Sequence, residues 1–196
     1  NAEIEKNIPT IDGYYNDQYN SDFKKMKFGI ANVTNTGCES IAVYNALVAL
    51  GKTEKLSDIL KHNERNGAMV FGYFGVNPFW TENYFDENDF SVDVITDVNE
   101  VIYLSNDSAD TYIISIWNGE DIYHYLHTMS ITINDDGNLV VHNTDGTAAT
   151  YESFDLLIDD VYDNDNEKVY MFEGGGAKAD ENKKQIEFNR SYIIYM

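Results

Sequence analysis

The pattern of apolar and polar positions divides the chain into a helical first half and a second half rich in strands. From Cys38 to Leu50, apolar side chains recur every three or four residues, which is the period of a helix with one buried face. Gly51 follows as a helix stop. Further helices are predicted from Leu56 to about Arg65 and from Pro78 to about Asp86.

The second half contains short segments that alternate in polarity or are rich in β-branched and aromatic residues, as strands are. The predicted strands are Ser91–Ile95, Val101–Leu104, Tyr112–Trp117, His127–Ile133, Leu139–Asn143, Val169–Phe172 and Tyr192–Tyr195. Helices followed by strands indicate the α+β class. We therefore expect a single domain over residues 1–196, with an N-terminal helical part packed on an antiparallel sheet.

Two segments near the N-terminus have no clear period. Residues 1–28 are polar and rich in tyrosine, and we expect them to form an arm that lies across the domain. Residues 30–36 are predicted to form a polar loop.

Composition narrows the range of functions. The 196 residues carry a net charge of −21, so the chain should repel nucleic acid and anionic membrane surfaces, whereas a cationic peptide would be attracted. A single cysteine excludes a disulfide within the chain and a cysteine-rich metal site. No apolar run is long enough to span a bilayer. The first residue is Asn, and the composition suits an exported bacterial protein, so we expect secretion or a cell-surface location.

The one cysteine stands where a reactive thiol would be expected. Cys38 follows Gly37 at the start of the best predicted helix, where the helix dipole and unpaired N–H groups would stabilise a thiolate. Glu39 would oppose this effect unless its side chain points to solvent. Without a partner base, a cysteine on an alanine-lined helix face is more often a small core residue.

His127 is the strongest candidate for that base. It begins a strand in which it shares a face with Met129 and two isoleucines, so it should lie at the rim of the core. A three-residue turn at Asp135-Asp136-Gly137 would pair this strand with the next. That register makes Asn143 a diagonal neighbour of His127 and places Asp145 opposite it, so either residue could orient the imidazole.

Other side chains leave alternatives open. His124 is a rival base, and a metal site of His124, His127 and Asp145 is conceivable, although the ligand spacing matches no known motif. His142 should face away from Asn143 and either pack or face solvent. The aromatic residues could line a substrate groove or fill the core; they are Tyr73, Phe74, Phe79 and Trp80.

The segment from Asn32 to Ala42, with its Thr-Gly-Cys-Glu-Ser core, resembles the nucleophile region of papain-like cysteine peptidases. It is most similar to the bacterial branch that includes the peptidases which remove double-glycine leaders from bacteriocins. The spacing of sixteen residues between His127 and Asn143 also matches that family. The resemblance extends over residues 30–146 and implies a stand-alone domain of papain-like fold.

The resemblance implies a catalytic triad of Cys38, His127 and Asn143, with Asn32 as an oxyanion donor and no cofactor or metal. The substrate would be a peptide or protein. The chain departs from the family at Asn32, where the usual residue is Gln, and at Glu39, where it is Gly or Trp. Two other functions remain open: an inactive secreted binding protein, and an amidase or acyltransferase that acts on a cell-wall amide.

Overall fold

The structure, a computed structural model, describes residues 1–66, 75–117, 126–144, 146–161 and 168–175, and its class is α+β as predicted. Its helices are α1 (Ala2–Glu5), α2 (Val33–Thr36), α3 (Cys38–Ala49), α4 (Leu56–Arg65), α5 (Phe79–Glu87), α6 (Val98–Val101) and α7 (Phe154–Val161), with a 3-10 turn at Phe23–Lys25. Its strands are β1 (Lys27–Phe28), β2 (Ala31–Asn32), β3 (Ser91–Ile95), β4 (Thr111–Trp117), β5 (Leu126–Ile133), β6 (Leu139–His142), β7 (Ala149–Tyr151) and β8 (Lys168–Gly175). The predicted strand Tyr192–Tyr195 lies outside the described residues.

The main sheet is antiparallel throughout and has the strand order β3-β8-β4-β5-β6-β7. The predicted hairpin is confirmed, because Ile133 pairs with Leu139 and Ile131 pairs with Val141. Gly137 takes the left-handed conformation, with φ of 81°, that this turn requires. The register follows from burial, since a shift of one residue would turn the apolar face towards solvent.

The two faces of the sheet pack against different helices. On one face, α7 and α6 cover an apolar cluster that includes Tyr112, Ile114, Met129 and Ile131. On the other face, α3 packs its small residues Ala42 and Ala46 into a cluster with Ile113 and Val92. Alternation along the strands also brings a row of buried hydroxyl side chains to the α3 face: Thr111, Ser115, Thr128 and Ser130.

Helix α3 begins at Cys38 and ends before Gly51, as the sequence predicts. At its C-terminus, the amide of Gly51 donates to the carbonyl of Val48, and the amide of Lys52 donates to the carbonyl of Leu47. This pair of bonds is a Schellman motif, and Gly51 supplies the left-handed residue with φ of 71°. Among the described residues, no helix is both long and apolar enough to cross a bilayer.

The N-terminal arm belongs to the core of the domain and does more than lie across it. Ile8, Tyr15, Phe23 and Phe28 are buried in a cluster with residues of α3 and α4. Apolar side chains of the arm therefore fill space that the helices alone leave open.

The cap of α4 also comes from the arm. The Glu5 carboxylate accepts from the amides of Leu56 at 2.7 Å and Ser57 at 3.1 Å, and the side chain of the N-cap residue Lys55 makes no capping bond. A carboxylate at a helix N-terminus satisfies unpaired N–H groups and complements the dipole.

Two local predictions are wrong. Residues 101–104 do not form a strand, because Asp97 caps α6 by accepting from the amide of Asn99, and the chain then turns. Residues 30–36 are not a loop, since they form β2 and the short helix α2. Both segments are too short for periodicity to identify them.

His142, on β6, connects the N-terminal arm to the main sheet. Its ring stacks on Tyr14 with the centroids 4.2 Å apart, and its Nδ1 lies 2.9 Å from Asn16 Oδ1. Its Nε2 lies 2.8 Å from the hydroxyl of Thr132. Burial lowers the pKa of His142 from 6.5 to about 4, because a charged imidazole would lose its hydration there. Of the two roles left open for His142, packing and contact with solvent, the structure shows packing.

This lowered pKa predicts a loss of stability in mild acid. Between pH 6.5 and pH 4 the unfolded chain binds a proton at His142 that the folded chain does not, so the free energy of unfolding should fall as the pH falls. The full effect is about 3 kcal/mol. Urea unfolding at pH 7, 6 and 5 should show a smaller pH slope for His142→Gln than for the wild type. Equal slopes would contradict this assignment.

Candidate active site

Cys38 is the first residue of α3 and is half-buried. Gly37 separates α2 from α3 at a point where the chain passes very close to itself. A Cβ atom at position 37 would lie 2.5 Å from Val33 Cγ1 and 2.6 Å from the Val33 carbonyl oxygen. Glycine is therefore required at the turn that delivers the cysteine to the helix N-terminus.

The sulfur of Cys38 lies against β5. The backbone and the hydroxyl of Thr128 lie close enough to the sulfur to lower the pKa of the thiol, and so does the backbone of Glu39. The amide nitrogen of Thr128 is bonded to the carbonyl carbon of His127. The helix tip and the start of the strand therefore meet.

The environment of the thiol differs from the prediction. The pKa of Cys38 is raised from 9.0 to about 11, first by burial and then by the neighbouring Glu39 charge. The hydrogen bonds from Thr128 and from the Glu39 backbone act in the opposite direction but do not offset these effects. The predicted stabilisation of a thiolate by the helix dipole is thus outweighed by desolvation.

Glu39 does not point to solvent. Its side chain is 1% exposed, and Oε1 accepts a hydrogen bond from the hydroxyl of Thr81 on α5. Burial raises the pKa of the Glu39 carboxyl, while hydrogen bonds from Thr81, Thr128 and Ser115 lower it. The first turn of α3 therefore holds a half-buried thiol next to a buried carboxyl.

The imidazole of His127 is oriented by Asn143, but through the backbone. His127 Nε2 lies 2.8 Å from the carbonyl oxygen of Asn143. A carbonyl oxygen can only accept, so Nε2 carries the hydrogen and the neutral ring has its lone pair on Nδ1. The predicted proximity of His127 and Asn143 is confirmed, and the contacting atom is the carbonyl oxygen.

Asn143 takes an unusual conformation that makes this contact possible. The pairing of β5 with β6 ends at Ser130 and His142, so Asn143 lies beyond the ladder and is not paired with Met129. Asn143 has φ of 66°, a left-handed conformation that Asn adopts more easily than most residues. It is 1% exposed, and its Oδ1 has no hydrogen-bond partner in the described part of the chain. The rival residues His124 and Asp145 lie outside the described residues.

Gln18 is a site residue that the sequence did not reveal. Its Oε1 accepts from Asn143 Nδ2 at 3.1 Å, and its Nε2 donates to the carbonyl of Thr34 at 2.8 Å. It therefore joins α2, which leads into Cys38, to the residue that orients His127. Gln18 lies in an aperiodic polar segment, and no pattern of spacing marks it as buried.

Asn32 has a structural role in the described geometry. Its Oδ1 accepts from the amide of Asn35 at 3.2 Å, so it is the N-cap of α2. The hydroxyl of Thr36 donates to its carbonyl at 3.1 Å. The predicted contribution of the Asn32 amide to an oxyanion site stays a prediction.

The aromatic residues that could line a groove or fill the core do not share one environment. Phe79 is 56% exposed at the start of α5, whereas Trp80 packs on the cluster that contains the N-terminal arm. Tyr73 and Phe74 lie outside the described residues. Within the described ranges, no group of three His, Cys, Asp or Glu residues is arranged to hold a metal ion.

No model of a known protein family matches this chain, and no curated protein matches it at a significant level. The chemistry of the site therefore rests on the contacts of its own residues, above all the meeting of Cys38 with the start of β5.

The Gln18 bridge should contribute measurably to stability. Gln18→Met keeps the length of the side chain but leaves the buried Asn143 amide and the Thr34 carbonyl without a partner. We expect the free energy of unfolding to fall by about 2 kcal/mol. Lys24→Met, at an exposed position of the same arm, is the matched control and should change little. Similar urea midpoints for both variants would show that the bridge is not important.

Proposed function

We propose that the chain is a thiol-dependent peptidase of papain-like fold, in which Cys38, His127 and Asn143 form the catalytic triad. One observation carries the proposal. Thr128, which lies close enough to the Cys38 thiol to lower its pKa, comes directly after a histidine whose ring is oriented by the carbonyl of Asn143. A nucleophile, a base and a group that orients the base are the parts that acyl transfer needs.

The raised pKa of the thiol, at about 11, determines how the first step would proceed. A neutral thiol is a weak nucleophile, so its proton would pass to His127 Nδ1 as the sulfur bonds to the substrate carbonyl carbon. The carbonyl π electrons move to oxygen and give a tetrahedral oxyanion. N–H groups at the start of α3 would stabilise this charge, and Asn32 is a further candidate donor.

The remaining steps return the enzyme to its first state. The oxyanion collapses, the C–N bond breaks, and the His127 imidazolium gives its proton to the leaving amine. A thioester on Cys38 results. His127 then takes a proton from water, whose oxygen attacks the thioester carbon and releases the acid and the thiol. Throughout, the carbonyl of Asn143 keeps the Nε2–H in place, so the ring exchanges protons at Nδ1.

The substrate would be a peptide or a protein. The net charge of −21 favours cationic chains, because opposite charge speeds encounter and like charge slows it.

A second candidate is a peptide-binding protein of the same fold without activity. The raised pKa of the thiol and the buried Glu39 favour this reading, because both reduce the amount of thiolate. The two functions differ in whether a substrate peptide is cleaved or only bound.

The catalytic roles can be tested with single substitutions. Against a mixed pool of short peptides that includes Lys- and Arg-rich sequences, Cys38→Ala should abolish cleavage. His127→Ala should reduce kcat/KM by about 10²–10⁴-fold, as expected for loss of a general base. His62→Ala, on α4, is the matched control and should cleave like the wild type.

Mass spectrometry of the products would decide the outcome. If the wild type binds peptides but releases no fragments, the binding protein is favoured. Cleavage of peptidoglycan fragments but not of peptides would favour an amidase. Cleavage that persists in Cys38→Ala would contradict every thiol mechanism.

A further inference from the structure

The residue that orients His127 lies beyond the end of its strand. The pairing of β5 with β6 stops at His142, so Asn143 is outside the ladder. Asn143 is 1% exposed and has a left-handed backbone, with φ of 66°. Outside glycine, this conformation is sparsely populated and persists where the surroundings hold it. The position of the carbonyl that contacts His127 Nε2 therefore depends on what holds the side chain of Asn143.

Gln18 supplies a contact that holds this side chain. Gln18 Oε1 accepts a hydrogen bond from Asn143 Nδ2 at 3.1 Å, and Asn143 Oδ1 has no partner among the described residues. Gln18 Nε2 donates to the carbonyl of Thr34 at 2.8 Å, so both ends of this carboxamide are engaged. Because Gln18 is 5% exposed, these hydrogen bonds are shielded from competition by water.

The segment that carries Gln18 is fixed to α3 and to β6. Asn45 on α3 accepts from the amide of Tyr15 and donates to its carbonyl, each at 2.9 Å. Asn16 Oδ1 lies 2.9 Å from Nδ1 of His142 on β6. These bonds are buried, so the segment cannot shift without leaving polar groups unpaired in the core. Gln18 is therefore presented from a rigid support.

We propose that Gln18 is a positioning residue of the site, which holds the Asn143 carbonyl where it accepts from His127 Nε2. The contacts run from Gln18 Oε1 through the side chain and backbone of Asn143 to the imidazole. This inference rests on the proposed function, in which His127 exchanges protons at Nδ1 while Nε2 keeps its hydrogen. Loss of the Gln18 contact would release the ring from the orientation in which it serves as the base.

Proton NMR of the 15N-labelled chain at pH 7 tests this role without a substrate. A hydrogen-bonded ring N–H that is shielded from water exchanges slowly and gives its own signal. His127→Ala and His142→Gln assign the signals of His127 Nε2–H and His142 Nδ1–H. Gln18→Met should lose the His127 signal and retain the His142 signal, because it removes the support of Asn143 and leaves Asn16 in place.

Asn16→Ala is the matched control. It removes a hydrogen bond between the same N-terminal arm and β6 and leaves the contacts of Gln18 in place. It should lose the His142 signal and keep the His127 signal. This crossed pattern would distinguish a role of Gln18 in the site from a general loosening of the arm. Loss of both signals in Asn16→Ala, or an unchanged His127 signal in Gln18→Met, would overturn the inference.

A second variant removes the same hydrogen bond from its other side. Asn143→Gly deletes the amide, keeps the carbonyl and suits the positive φ at this position. If Gln18→Met does not fold, as judged by circular dichroism, the spectrum of Asn143→Gly decides the question. Loss of the His127 signal supports the positioning role, and retention of that signal overturns it.

Kinetics add a readout where a peptide is cleaved. Gln18→Met should lower kcat by about 10- to 10²-fold and leave KM nearly unchanged, because the base is misplaced while substrate binding is not altered. A wild-type kcat would overturn the role of Gln18. If no peptide is cleaved, the proposed function fails, and the crossed NMR pattern would still support the positioning of His127 by Gln18. Peptide cleavage with an unchanged His127 signal in Gln18→Met would leave the proposed function intact and remove the role of Gln18.

Discussion

The site depends on the packing of the N-terminal turn of α3 against β5. This contact brings the Cys38 sulfur close to Thr128, the residue that follows His127 in β5. It is possible because Gly37 lets α2 and α3 meet without a side chain between them, and because alanines on α3 let the helix lie close to the sheet. A bulkier residue at either place would move the thiol away from the strand.

The orientation of the His127 ring depends on a second feature, the conformation of Asn143. Asn143 leaves the ladder in a left-handed conformation and turns its carbonyl towards the His127 ring. Gln18 fixes the Asn143 amide and at the same time holds the carbonyl of Thr34 on α2. The N-terminal arm thus connects the helix that precedes Cys38 with the residue that orients His127, and its burial makes it part of the domain.

The features that the sequence predicts correctly are those in which apolar residues recur at a regular spacing. Helix α3, its Gly51 stop and the β5–β6 register are confirmed because burial of one face leaves few alternatives. The closeness of His127 and Asn143 follows from that register.

Features that depend on single long-range contacts could not be predicted. The cap of α4 comes from Glu5, fifty-one residues before Leu56, and the site bridge comes from Gln18. Glu39 is buried because hydroxyls from three elements surround it, which no local pattern shows. The wrong strand at residues 101–104 reflects the local cap at Asp97, which outweighs a short run of apolar residues.

The central claim is that a helix-tip thiol and a strand-borne imidazole act together. The most direct measurement is the rate of Cys38 alkylation at pH 7 in the wild type and in His127→Ala, with folding of both checked by circular dichroism. If the imidazole takes the thiol proton, the variant should react at least about tenfold more slowly. Equal rates in two folded proteins would show that the thiol is independent of His127 and would contradict the account.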